Sequence, residues 1–185
     1  MSVKTFTTEV LTSADTNTYL ANSGLVYVTQ ASMSSSATAI NNCFTSTYQN
    51  YKVIIATTVA SANEPVYLRY RVSGTDNSTT NYYYGHWYTT AGGGSGVTNA
   101  SGADAFLMGY IGSADGVSQT VLDISFPQQA VRTVCAMSRS EYDSASYVFR
   151  NGGMRFTAAT QFDGFDIFSV ATLTGTIYVY GYRQS

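Results

Sequence analysis

Hydrophobic and polar residues alternate with a period of two along most of the chain from Leu25 onward. In residues 66–72, the Val, Leu and Tyr side chains at even positions would share one face of a strand, and Tyr67, Arg69 and Arg71 would share the other. Because successive side chains of a β-strand point to opposite faces, this alternation predicts strands rather than helices.

A series of such runs follows, separated by Gly, Asn and Ser residues that favour turns. The runs, twelve in all, predict roughly ten short strands. They cover residues 25–29, 38–44, 51–58, 66–72, 82–88, 105–111, 119–126, 132–138, 147–150, 154–157, 165–169 and 176–182. The glycine-rich residues 91–102 predict a flexible surface loop. Regular short strands with turn signals predict an all-β antiparallel sandwich or barrel.

The first 24 residues differ from this pattern and predict a short N-terminal arm before a single domain over residues 25–185. Thr12 or Ser13 would cap a brief helix, with Asp15 near its positive end and Gly24 as a stop. The arm must dock on another surface, because it is too short to hold itself folded. Its candidate anchoring side chains are Val10, Leu11, Tyr19 and Leu20.

The composition changes the picture of the surface. Only 11% of the residues are charged, whereas about 25% is usual, so Ser, Thr, Asn, Gln and Tyr must cover the protein. Such a surface suits packing against copies of itself, a larger assembly or sugars. The net charge of −2 and the lack of a basic run exclude a nucleic-acid interface. We also expect no secretory signal and no membrane insertion, because no apolar run reaches the length of a span.

Cysteine and histidine give little catalytic chemistry. Cys43 and Cys135 lie in apolar runs without a C-x-x-C motif, which predicts buried free thiols and excludes a zinc ribbon, with a disulfide as the alternative. His86 is the single histidine, and no Gly-x-Ser-x-Gly motif accompanies it, so we expect a packed or interface residue. The sequence therefore predicts no enzyme and no cofactor.

Carboxylates are scarce, and two pairs offer alternatives. Glu141 and Asp143 would share a face of an extended strand, and Asp163 and Asp166 flank a Gly-Phe pair. A glycosidase would need two carboxylates about 5–10 Å apart in a cleft, and a calcium site would need six or more oxygens. The prediction is instead that these are solvated turn carboxylates, with no metal bound.

An aromatic run is the best binding candidate: Tyr82, Tyr83, Tyr84, Gly85, His86, Trp87 and Tyr88. Trp and Tyr stack on sugar faces and are enriched at protein interfaces. Tyr82, Tyr84 and His86 would share one face, whereas the phase of the other aromatics depends on whether Gly85 bulges. Glycan contact and a core or subunit interface both remain open.

The closing run alternates equally clearly. Ile177 and Val179 would point to one side, and Tyr178, Tyr180 and Tyr182 to the other. These three tyrosines are candidates for a subunit interface, with an ordinary amphipathic face as the alternative.

Four segments, in order, resemble jelly-roll structural proteins of tailed-phage and cyanophage virions. Residues 9–20 resemble their "V-L-T-x-x-D-x-N-x-Y-L" opening, and residues 44–55 resemble "F-S-S-T-Y-D-N-Y-R-I-V-I". Residues 68–77 resemble the strand and turn "L-R-L-R-x-S-G-T-D", and residues 174–183 the closing strand "G-x-I-x-V-Y-G-Y-R". The resemblance spans nearly the whole chain and carries no catalytic motif.

This resemblance implies a jelly-roll sandwich in a virion structural protein, made in the host bacterial cytoplasm and assembled as a homotrimer. The arm, residues 2–22, would attach to other virion proteins, and the loops would face outward. Two placements follow: a tail or head fibre element that contacts host-surface glycans, or a decoration protein that clamps the capsid lattice. A glycan hydrolase is the rival from another class.

Overall fold

The computed structural model describes residues 24–113, 115–143 and 146–183. Within these ranges the chain forms eleven strands and no helix, which confirms the all-β antiparallel prediction. The strands are β1 (Leu25–Ile40), β2 (Asn50–Ala60), β3 (Glu64–Val72), β4 (Thr75–Asp76), β5 (Tyr82–Thr90), β6 (Ser95–Ala103), β7 (Phe106–Ile111), β8 (Ser118–Ser125), β9 (Arg132–Asp143), β10 (Ser146–Ala159) and β11 (Gly164–Tyr182). The predicted arm helix and its anchoring side chains lie outside the described residues.

The long strand β11 belongs to two parts of a curled sheet. Its first part, Gly164 to Phe168, pairs with β3, and its last part, Leu173 to Gly181, pairs with β2. β1 accompanies β11 along both parts, with a register shift between Ser35 and Ala37. One part of the sheet therefore runs β1–β11–β2–β8–β9–β10–β5–β6, and the other runs β1–β11–β3–β7, with β4 also paired to β3. β7 packs against β9.

The core lies between these two parts, and alternation places its side chains there. In β3, Val66, Leu68 and Tyr70 are buried, as the period-two pattern predicts. The Tyr70 ring lies 4.6 Å from that of Phe162 between ring centroids, within a cluster of buried aromatic side chains. Aromatic pairs at this spacing add to the stabilisation from the buried area.

Several predicted boundaries are wrong, and in β10 the reason is that glycine marks close backbone approach rather than a turn. Residues 147–150 and 154–157 belong to the single strand β10, which continues through Gly152 and Gly153. A Cβ at Gly152 would collide with the Gly85 carbonyl oxygen on β5. The predicted strands at 165–169 and 176–182 are likewise one strand, β11, and residues 41–44 lie beyond the end of β1.

The prediction of a flexible loop over residues 91–102 is also wrong. Only residues 91–94 connect the strands, and Ser95–Ala103 forms β6, paired with β5. Trp87 pairs with Val97, and His86 with Thr98. Cross-strand pairing with aromatic side chains thus outweighs the low strand propensity of the glycines.

Cys43 and Cys135 are free and buried, as predicted. Burial raises the pKa of the Cys43 thiol to about 12, and burial also raises the pKa of Cys135. Both thiols are therefore unreactive packing groups. Among the described residues, no helix has the length and apolar character needed to cross a membrane.

Candidate functional site

The aromatic run lies on β5 and divides between the two faces of the sheet. Tyr82 and His86 are buried, and Tyr84 is half-buried on the same inner face. Tyr83 and Trp87 are 45% and 51% exposed. The pairing of β5 with β10 is continuous from Tyr82 to Thr90, so Gly85 does not bulge against β10. The predicted common face of Tyr82, Tyr84 and His86 is confirmed, and Tyr83 and Trp87 share the outer one.

The outer face carries a group of exposed large side chains that we call the outer aromatic surface. It consists of Tyr83, Trp87, Val97, Tyr147 and Phe149. Trp87 lies directly opposite Val97 on β6 and Asn151 on β10, and Phe149 stands two residues from Asn151 on the same face. The Tyr147 ring makes an edge contact with Tyr142, with centroids 5.2 Å apart.

A gap in side chains separates Tyr83 from Trp87. Gly85 lies between them on β5, and its partner across β10 is Gly153. The floor at this point is therefore backbone, flanked by two exposed aromatic rings whose Cα atoms are separated by roughly 13 Å along the strand. Aromatic side chains beside a shallow polar floor are suited to stacking against the apolar faces of sugars.

The inner face of the same strands carries a cluster of buried charges. Glu141 Oε1 accepts a hydrogen bond from Arg150 Nε at 2.5 Å, and Oε2 accepts from Arg139 Nε and from the Tyr110 backbone N–H. Arg139 also donates to the Thr120 hydroxyl and to the Tyr110 carbonyl oxygen. The side chains of Arg139, Glu141 and Arg150 are at most 3% exposed. These contacts fix both guanidinium groups in place.

Glycine on β7 makes room for this cluster. Gly109 has φ +153°, and a Cβ there would lie 2.5 Å from Glu141 Oε2 and 2.9 Å from Arg139 Nε and from Arg150 Nε. Position 109 must therefore lack a side chain for β7 to lie over the charges.

His86 borders the charge cluster. Its Nε2 lies 3.4 Å from Arg150 Nη1. Because a guanidinium group can only donate, this contact favours the tautomer in which Nε2 is the acceptor. Burial, together with Arg150 and Arg139, lowers the pKa of His86 to about 4. A neutral, buried imidazole agrees with the prediction of a packed histidine.

A pocket of about 390 Å³ opens beside the charge cluster. Its lining includes Tyr88, Thr90, Thr98, Tyr110, Asp143 and Arg150. The Arg150 guanidinium carbon lies 4.9 Å from the Tyr88 ring centroid and 5.5 Å from that of Tyr110. We call this the arginine pocket. It combines two aromatic rings, a fixed cation, a carboxylate and two hydroxyl groups.

The carboxylates do not all follow the prediction of solvated turns. Glu141 is 2% and Asp166 5% exposed. Alternation places Glu141 on the inner face of β9, whereas Asp166 lies between the core residues Phe165 and Ile167 on the opposite face of β11, where all three positions are buried. Burial, with a contribution from Asp76, raises the pKa of Asp166 to about 6. Asp163 accepts a hydrogen bond from the Ser73 N–H. Among the described residues, no three His, Cys, Asp or Glu side chains are grouped to hold a metal ion.

The closing tyrosines alternate with buried Ile177 and Val179, as predicted. All three are half-buried rather than fully exposed: the Tyr182 hydroxyl donates to Asp123, and the Tyr180 ring makes an edge contact with Tyr27 at 6.1 Å. Their role at a subunit interface stays a prediction, as does that of Tyr178.

Sequence reasoning missed Arg139, Arg150, Tyr110 and Phe149. One signal for Arg139 was present in the sequence. Arg139 lies on the same face of β9 as Cys135, Met137 and Glu141. The first two of these residues are apolar, so this face is expected to point into the core. A charged residue in such a place is a sign of a buried ion pair.

Comparison of the chain with protein-family models, with curated proteins and with solved structures found no match in any of the three.

Proposed function

We propose that this chain is a jelly-roll structural protein on the surface of a tailed-phage virion, assembled as a homotrimer, that adheres to host-surface glycans. In this proposal the arm attaches to the particle and the domain projects from it. The protein works by assembly and adhesion, without turnover.

The strand pairing supports the jelly-roll part of the proposal. β1 and β11 each contribute one half to each part of the sheet, and each half is counted here as a separate strand. The pairs then form two four-stranded antiparallel sets, β1–β11–β2–β8 and β1–β11–β3–β7. A jelly roll consists of two packed antiparallel sheets with eight strands in all. The remaining strands β9, β10, β5 and β6 then extend the first set. These additions come from the β5–β6 and β9–β10 segments of the chain.

The outer aromatic surface is the observation that carries the adhesion. Trp87, Phe149 and Tyr147 are about half exposed on one face, and Tyr83 flanks the glycine gap. A soluble protein gains nothing for its own stability by exposing these rings, and such groups mark binding sites. Asn151 and Arg155 on β10 lie opposite Trp87 and Tyr83 on the same face, and hydrogen-bonding groups beside aromatic rings suit a hydroxylated partner.

A capsid decoration protein is the alternative, and the edge strand β1 favours it. β1 is 16 residues long, contains no charged residue and no proline, and pairs only with β11 among the described residues. Natural edge strands are usually protected by charge or proline against pairing with other chains. An unprotected edge suits a protein that lies against neighbours in a lattice.

Adhesion of the purified protein to host cells tests the proposed function. We expect Trp87→Ala to weaken adhesion about thirtyfold or more, since truncating an aromatic hot-spot residue costs about 2 kcal/mol or more and 1.4 kcal/mol corresponds to a factor of ten. Val170→Ala is the matched control, because Val170 is 80% exposed on β11 and lies outside this surface. Equal adhesion of both variants and the parent would contradict the proposal.

A further inference from the structure

We propose that the arginine pocket binds one neutral pyranose unit through two neighbouring hydroxyl groups. This inference deepens the glycan adhesion proposed above and rests on it for the class of ligand. The arginine pocket would then be a second glycan-binding site, on the opposite face of the sheet from the outer aromatic surface.

Two tyrosine rings form the walls of the pocket. Tyr88 lies opposite Gly96 on β6, and a Cβ at Gly96 would come within 2.6 Å of the Tyr88 hydroxyl oxygen. The ring therefore lies across the space that a side chain at 96 would fill. Tyr88 and Tyr110 both contact the Arg150 guanidinium group. Their faces offer a surface for the C–H groups of a sugar ring.

The polar groups form a matched donor and acceptor. Arg150 Nη2 lies 3.4 Å from Asp143 Oδ2, and the Asp143 side chain is 28% exposed whereas that of Arg150 is 3% exposed. A guanidinium group only donates hydrogen bonds, and a carboxylate only accepts them. One hydroxyl of a vicinal diol can accept from Arg150 while its neighbour donates to Asp143. Thr90 and Thr98 add hydroxyl groups that can do either.

Arg150 is already positioned for this contact. Its Nε is bound to Glu141 and its Nη1 faces His86, so little side-chain entropy is lost when a ligand binds. Supporting contacts of this kind hold a binding side chain in the geometry that its ligand requires.

Charge and size select a neutral monosaccharide. Arg139 and Arg150 are balanced by Glu141 and Asp143, so the site holds no excess positive charge for a phosphate or a carboxylate. A volume of about 390 Å³ lies at the small end of ligand pockets, which span roughly 300–1,000 Å³. The pocket therefore suits one ring of a glycan rather than an extended segment.

Saturation-transfer NMR on the whole chain tests the proposal. The probes are the methyl glycosides of glucose, galactose and mannose, with methyl glucuronide as the charged comparison, each at high millimolar concentration. We expect transfer to the ring protons of at least one neutral glycoside, and weaker transfer to the glucuronide. Asp143→Asn and Thr98→Val should each weaken that binding, the first about tenfold or more because it removes a charged acceptor.

Val170→Ala is the control, because Val170 is exposed on β11 and lies in neither proposed binding surface, and circular dichroism checks that each variant is folded. No transfer from any neutral glycoside, tighter binding of the glucuronide, or unchanged binding in both pocket variants would overturn the proposal. Host-cell adhesion separates this failure from that of the proposed function. Adhesion that depends on Trp87 without pocket binding would overturn the pocket alone, whereas pocket binding without adhesion would overturn the adhesion.

Discussion

Replacing Glu141 by Gln is expected to destabilise the protein strongly, because this carboxylate is the shared acceptor of two buried arginines. Both oxygens are engaged, by Arg139, by Arg150 and by the Tyr110 N–H, and the Glu141 side chain is fully buried. Glutamine keeps one acceptor oxygen but turns an NH2 group toward an arginine N–H. Asp143 then remains near Arg150, at 3.4 Å, and Arg139 loses its counter-charge.

The cost of breaking a buried ion pair while its partner stays is about 3–5 kcal/mol. For a domain of this length, each kcal/mol lowers the melting temperature by roughly 2–4 °C, so we expect a decrease of about 6–20 °C. Thermal unfolding followed by far-UV circular dichroism measures this decrease, and urea unfolding measures the loss of free energy. Fluorescence is a poor probe, because the single tryptophan, Trp87, is already half exposed.

Asp104→Asn provides the matched control. Asp104 also pairs with an arginine, Arg69, but its side chain is 59% exposed, and exposed pairs contribute about 0–1 kcal/mol. We expect its unfolding midpoint to stay close to that of the parent. If Glu141→Gln cost no more than Asp104→Asn, the buried cluster would not be the stabilising and positioning unit described above.

Three further predictions concern buried groups. Gly109→Ala should cost more than about 2 kcal/mol in urea unfolding, because its Cβ would meet Glu141 Oε2 at 2.5 Å and its φ of +153° disfavours alanine; a midpoint equal to the parent's would contradict this packing. The pKa of His86 is lowered to about 4 from about 6.5 when unfolded, so its stabilising contribution is present above pH 6.5 and lost as the pH falls toward 4; His86→Gln should remove this loss from a pH series of unfolding free energies. The pKa of Asp166 is raised from 3.8 to about 6, so its contribution is present below pH 3.8 and lost as the pH rises through 6; Asp166→Asn should exceed the parent in stability above pH 6, and an advantage that grew toward pH 4 would refute the assignment.

Local alternation predicts strands well where one face is buried. In β3 and in the last part of β11, the even–odd pattern gave the correct inner residues, including Leu68, Tyr70 and Ile177. The same reasoning divided β10 at Gly152, because a glycine that permits close approach of β5 has the same local signature as a turn glycine. The two kinds of glycine differ only in whether another strand, here β5, lies against them, and β5 is far away in the sequence.

The candidate sites depend on pairings that no local pattern contains. The arginine pocket draws Tyr88 from β5, Thr98 from β6, Tyr110 from β7 and Arg150 from β10. The sequence placed Tyr88 in a binding run, but the other three become neighbours only through the sheet order. The outer aromatic surface is predicted only in part. The sequence makes Trp87 a candidate, but it gives no sign that Tyr147 and Phe149 on β10 lie beside it.

The proposed location on the surface of a virion is tested most directly by immunogold labelling of intact phage particles with antibody raised against the purified protein. The antibody must first be shown to recognise the native fold. The proposal predicts gold on the particle surface, confined to the tail or to projecting fibres if glycan adhesion is the role, and spread over the head if decoration is. Particles that remain unlabelled would contradict the account of a surface-exposed virion protein.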